Sequence, residues 1–139
     1  MSLLDSLKRA LGRETPQPTA QPTPAHAAEV EEVRVPEITG AELLALRQNG
    51  HGLVLLDCRE DHEWRQGRIP GSLHIPMRQV PSRLDEIRRD AEIVVACAHG
   101  NRSYSVAGWL IQNGYAARSL KGGVADWQWR GYAIEREHT

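Results

Sequence analysis

Apolar positions along the chain fall into short runs, and the stretches between them change period. Val33–Val35, Leu53–Leu56, Leu73–Ile75, Ile93–Ala96 and Ala117–Leu120 are of strand length. Leu53-Val54-Leu55-Leu56 and Ile93-Val94-Val95-Ala96 do not alternate with polar residues. That is the pattern of strands covered on both faces. Between the runs lie helical spacings. Thr39 with Glu42 three residues on is a capping pattern, and it opens a helix through Leu43, Leu44 and Leu46 to Asn49-Gly50. Asp61–Gln66 reads as a short helix, Pro81–Arg89 as a helix with Leu84 and Ile87 inward, and Val124–Trp129 as a closing helix. Val106, Ala107, Trp109, Leu110 and Ile111 mark a helix from about Ser103 to Asn113, with Gly114 as its stop. Strands alternating with helices predict an α/β fold, a parallel sheet with helices on both faces. Ligands of such sheets collect beyond the carboxyl ends of the strands.

The N-terminal quarter has a different texture. In residues 1–12, Leu3, Leu4, Leu7 and Leu11 share one helical face, with Gly12 as a plausible stop. So short a helix is marginal alone. Its readings are a frayed tail or an element that docks on a partner or a membrane surface. Residues 13–32 include Pro16, Pro18, Pro22 and Pro24 among Thr, Gln and Ala, a composition that predicts an extended linker. The folded domain is expected over 33–137.

The chain's 139 residues leave room for one domain. A net charge of −1 gives no general attraction to nucleic acid or to an anionic membrane. Two cysteines are too few for a disulfide scaffold, and neither sits in a CxxC pair. The six histidines are scattered without metal-ligand spacing, so no metal or cofactor is expected. Met1–Gly12 lacks the features of a secretory signal, and no apolar stretch approaches membrane-spanning length. A reactive thiol without a disulfide framework suits a reducing compartment, so the expected location is cytoplasmic.

The chemistry concentrates at Cys97-Ala98-His99-Gly100-Asn101-Arg102-Ser103, between the apolar run that ends at Ala96 and the helix that follows. A cysteine at a strand-to-helix turn faces the unpaired first amides of the helix and its positive end. Those amides, with Arg102 beside them, should lower the thiol pKa and expose a thiolate nucleophile. Gly100 suits a positive φ and a close backbone approach to the sulfur. Ser103 is placed to cap the helix.

Cys97-x-x-Gly100-x-Arg102-Ser103 resembles the active-site loop of the rhodanese sulfurtransferases. Asp57-Cys58-Arg59-Glu60, then Glu63-Trp64, then Gly67-Arg68-Ile69-Pro70-Gly71-Ser72-Leu73-His74-Ile75-Pro76 resembles that family's first signature. Leu120-Lys121-Gly122-Gly123 with Trp127 and Gly131 resembles its closing segment. The resemblance covers about Val33 to Glu135. It implies a rhodanese-like three-layer fold whose central parallel sheet has about five strands.

The activity implied is sulfur transfer in two steps. Cys97 takes the outer sulfur of a donor such as thiosulfate or a persulfide, and an acceptor (cyanide, a thiol or a protein) removes it. Cys97 is the catalytic residue, and Ala98, His99, Gly100, Asn101, Arg102 and Ser103 form the substrate-binding loop. The second hypothesis is a persulfide carrier or docking module with little activity on thiosulfate. A third, a phosphatase or arsenate reductase, is disfavoured because those relatives place five residues between cysteine and arginine, where this chain has four.

Arg102 is placed to stabilise the thiolate or bind the donor; the alternative is a pairing with a carboxylate that braces the loop. His99 is read as tuning the approach of donor or acceptor. Asp57 and Arg59 are read as a supporting ion pair near the same sheet edge, with Arg59 also able to face the mouth. Cys58 departs from the apolar residue common in the family. It is read as a small buried thiol, with a resolving thiol as the alternative.

Overall fold

A strand, a crossover and another strand in parallel is the repeating unit of this chain. The computed structural model describes residues 34–137. The 1–12 helix and the 13–32 linker read from the sequence therefore lie outside the described residues. The strands are β1 (Glu37–Ile38), β2 (Val54–Asp57), β3 (Leu73–His74), β4 (Glu92–Ala96) and β5 (Ala116–Leu120). The helices are α1 (Gly40–Gln48), α2 (Asp61–Gln66), α3 (Asn101–Gln112) and α4 (Gly123–Trp129), and a run of 3-10 turns spans Met77–Glu86. The sheet order is β1-β5-β4-β2-β3, and every pair is parallel. The fold is the expected α/β arrangement around a five-stranded parallel sheet.

Local sequence sets several boundaries. Thr39 caps α1: its hydroxyl accepts from the Glu42 amide at 3.1 Å, and Glu42 accepts from the Thr39 amide at 2.9 Å. Two of the amides that begin a helix without partners are thereby satisfied. Alternation along β2 and β4 explains why neither strand alternates in sequence. Leu56, Ile93 and Val95 join Val106, Ala107 and Leu110 on one face. Leu55, Val94 and Ala96 join Leu43, Leu120, Val124 and Trp127 on the other. Both faces of the central strands are therefore removed from water, and each fully buried aliphatic side chain contributes about 1.5–3 kcal/mol.

Two expectations need correction. Among the described residues the first strand is Glu37–Ile38, and Val35, expected in a strand over Val33–Val35, is not part of it. Val35 packs, partly buried, against the apolar core instead. Pairing with β5 is anchored where the Ser119 amide donates to the Pro36 carbonyl, at 2.9 Å. The segment expected as a helix over Pro81–Arg89 is a run of 3-10 turns that ends at Glu86, with Arg83 outside helical geometry at φ −124°. Leu84 and Ile87 do turn toward the core. A spacing of three, however, suits a 3-10 turn as well as an α-helix. The remaining elements begin or end within one or two residues of their expected places.

Candidate active site

The carboxyl end of β4 delivers Cys97 to the base of a loop that turns directly into α3. Gly100 makes that turn with φ +111°, a conformation side-chain-bearing residues rarely adopt. Its amide donates to the Cys97 Sγ at 3.0 Å. The Ser103 Oγ lies 3.4 Å from the same sulfur and 2.7 Å from the Ser119 Oγ. Cys97 itself is only 1% exposed. Burial pushes its thiol up, but the Ser103 hydroxyl and the amides of Ser103, Gly100 and His99 outweigh that and hold it below the ordinary thiol range. The loop therefore favours a negative charge on this one sulfur.

A second layer holds the loop from below. The first amides of α4 reach across to its base: Val124 donates to the Cys97 carbonyl at 2.8 Å, and Ala125 to the Ala98 carbonyl at 3.0 Å. Those carbonyls press so closely on Gly123 that a Cβ there would collide with both. Gly122-Gly123 thus does more than turn the chain toward Trp127. It lets one helix terminus seal the underside of the loop made by another.

Arg102 forms a two-pronged ion pair with Glu63, both contacts at 2.9 Å. The Arg102 hydrogen bonds hold the Glu63 carboxyl down at about 2. Its guanidinium is thus committed to α2, which corresponds to the bracing alternative read from the sequence. Arg102 still lies near enough to Cys97 for the sulfur's charge to be felt. His99 and Asn101 are exposed at the rim, and Ala98 is half-buried.

Asp57 and Arg59 sit at the adjoining strand end and form a buried pair. The Arg59 Nη2 donates to the Asp57 Oδ2 at 2.8 Å and to the Gly67 carbonyl at 2.7 Å, and its Nε reaches both Asp57 oxygens. His74 bonds the Arg59 carbonyl at 2.8 Å and stacks on Trp64 at 4.6 Å between ring centroids. Asp57, Arg59, Gly67, His74 and Trp64 make a frame that carries α2, and α2 carries Glu63 to Arg102. Arg59 is buried in this frame rather than facing the mouth.

Three contributors escaped the sequence reading. Glu63 carries no role in the sequence beyond its place in the Glu63-Trp64 motif. Ser119 is fully buried against Ser103; a serine at an inward position of an apolar strand was its signal. The bonds from α4 left no sequence trace beyond the paired glycines. Among the described residues, no group of three or more His, Cys, Asp or Glu is placed to hold a metal ion, and no helix is long and apolar enough to cross a membrane.

Residues 39–129 match the rhodanese-like domain family, and the chain belongs to that family. A sulfurtransferase of Allochromatium vinosum is 36% identical over 72% of this chain and 94% of its own. The thiosulfate sulfurtransferase GlpE of Pseudomonas aeruginosa is 37% identical over 66% of this chain and 82% of its own. The crystal structure of a rhodanese-related protein from Thermoplasma volcanium superposes with a TM-score of 0.67 at 32% identity, over 73% of this chain and 99% of that one. At the level of the family, the activity is sulfur transfer between a donor and an acceptor.

Proposed function

We propose that the protein is a thiosulfate-type sulfurtransferase that works through a persulfide on Cys97. The observation that carries this reading is the set of N–H and O–H groups converging on the Cys97 sulfur. In the first step the Cys97 thiolate attacks the outer sulfur of thiosulfate. A bond forms between the two sulfurs, the bond to the sulfonate sulfur breaks, and sulfite leaves with the electron pair. Cys97 then carries a persulfide whose terminal sulfur is negative at neutral pH. The loop amides that favour the thiolate face this second anion as well, in the manner of an oxyanion hole. In the second step cyanide, a thiol or a protein acceptor attacks the terminal sulfur, and the Cys97 thiolate is regenerated. Two half-reactions at one covalent site imply ping-pong kinetics.

Phosphoryl transfer is the weaker reading. The loop has four residues between Cys97 and Arg102, and Glu63 already occupies the guanidinium edge that would clasp a phosphate. The test is steady-state turnover with thiosulfate and cyanide, together with mass spectrometry of the donor-treated protein. The expected adduct is one sulfur, about 32 mass units, on Cys97, removable by cyanide. Turnover with a protein persulfide but not with thiosulfate would move the assignment to a sulfur carrier. Hydrolysis of an aryl phosphate at a comparable rate would overturn it.

A further inference from the structure

Cys58 is a buried nucleophile that sulfur transfer does not use. Strands β2 and β4 pair in parallel, with Leu56 opposite Val95 and Asp57 opposite Ala96. One residue further along the same register, Cys58 comes opposite Cys97. The Cys58 amide still donates to the Ala96 carbonyl at 2.9 Å, so the pairing persists to that point. Both cysteines fall in the same buried cluster, with Leu56, Ile93 and Val95, whereas Leu55, Val94 and Ala96 fall in the other. The two thiols therefore point to one face of the sheet from neighbouring strand ends. Paired strands lie about 4.8 Å apart, within the roughly 4.4–6.8 Å that a disulfide spans between Cα atoms.

We propose that Cys58 is a resolving thiol, which closes a reversible disulfide with Cys97 after a hydroperoxide has oxidised Cys97 to the sulfenic acid. In the first step the Cys97 thiolate attacks one peroxide oxygen. The S–O bond forms, the O–O bond breaks, and the departing alkoxide or hydroxide takes a proton from water. In the second step the Cys58 sulfur attacks the Cys97 sulfur and the S–O bond breaks. The hydroxide released takes up the Cys58 proton, so that one water is formed. Each thiol has then lost one electron to the peroxide. The covalent bond withdraws Cys97 from sulfur transfer and shields it from irreversible oxidation. A thiol reductant restores both residues.

The electrostatics keep this step separate from ordinary turnover. Burial first, and then the charges on Cys97 and Asp57, push the Cys58 thiol up to about 12. A persulfide keeps a negative charge at the Cys97 position, so Cys58 stays protonated and silent through the catalytic cycle. A sulfenic acid is neutral. Forming it removes the Cys97 contribution to holding the Cys58 proton in place.

The experiment uses the full-length protein, first treated with cyanide to strip any persulfide and then exposed to hydrogen peroxide. After alkylation and digestion, the expected product is a peptide pair joined through Cys58 and Cys97. Sulfurtransferase activity is lost in parallel and returns with dithiothreitol. In Cys58→Val, basal activity is retained, but peroxide drives Cys97 to the sulfinic acid and the loss is permanent. Cys58→Ala provides a second variant with the thiol removed and the smaller volume. Oxidation of the unsubstituted protein straight to the sulfinic acid with no linked peptide would overturn the proposal. Equal recovery of activity in the unsubstituted and variant proteins would do the same. The linked peptide is read by mass on the resting protein, so this result stands or falls separately from the choice of thiosulfate as donor.

Discussion

Two neighbouring strand ends each carry a buried cysteine with an arginine nearby, yet their chemistry differs. At the end of β4, the Gly100 amide and the Ser103 hydroxyl approach the Cys97 sulfur, and its thiol is held below the ordinary range. At the end of β2, Cys58 lies among apolar side chains and its thiol is pushed up to about 12. The arginines differ as well. Arg59 is used up inside its own loop by Asp57 and the Gly67 carbonyl, whereas Arg102 reaches 39 residues back to Glu63. Burial is common to both sulfurs, so burial does not decide reactivity. The directed donors do.

The sharpest way to break this comparison is to remove each thiol in turn. Cys97→Ser is expected to reduce thiosulfate–cyanide turnover by at least about a thousandfold, whereas Cys58→Val leaves it within about twofold. Comparable losses in both would show that the two strand ends are not functionally distinct. Next in size is the frame. Asp57→Ala leaves the Arg59 guanidinium buried without its partner. It is expected to lower unfolding stability by about 3–5 kcal/mol in chemical denaturation. A loss under about 1 kcal/mol would mean that the pair is replaceable.

A smaller effect sharpens the electrostatic contrast. Ser103→Ala removes the hydroxyl whose hydrogen bond with the Cys97 sulfur lowers its pKa, so the pH midpoint of its alkylation by iodoacetamide should move upward. In the unsubstituted protein, alkylation at about pH 8 should label Cys97 and spare Cys58. An unmoved midpoint would assign the lowered pKa to the amides alone. The smallest expected effect concerns Glu63. Its folded-state pKa of about 2 lies below the ordinary 4.5. The stability it contributes is therefore fully present above about pH 4.5 and is lost as pH falls toward 2. Glu63→Gln should therefore lower stability modestly near neutrality, flatten the stability–pH curve within that window and leave stability near pH 2 unchanged.

What the sequence disclosed follows the range of the interactions involved. Thr39 and Glu42 signal α1 because the capping bonds span three residues. The Cys97–Ser103 loop was legible because its donors are consecutive. The same proximity in sequence made the Asp57–Arg59 pair readable as structural. Glu63 could not be matched to Arg102 from spacing, since nothing local links α2 to the start of α3. The 3-10 run over Met77–Glu86 was misread because Leu84 and Ile87 satisfy two helical periods at once. Pro81 removes an amide within that run, a local sign that regular α-helical bonding does not continue through it.

The bonds from α4 to the carbonyls of Cys97 and Ala98 bear on how the protein can be cut or assembled. A fragment ending at Lys121 contains every residue of the nucleophile loop and still lacks the two donors that close its underside. During synthesis the pocket can take its final shape only after Ala125 has left the ribosome. Splitting the chain between Ser103 and Gly122 would divide the cup from its floor.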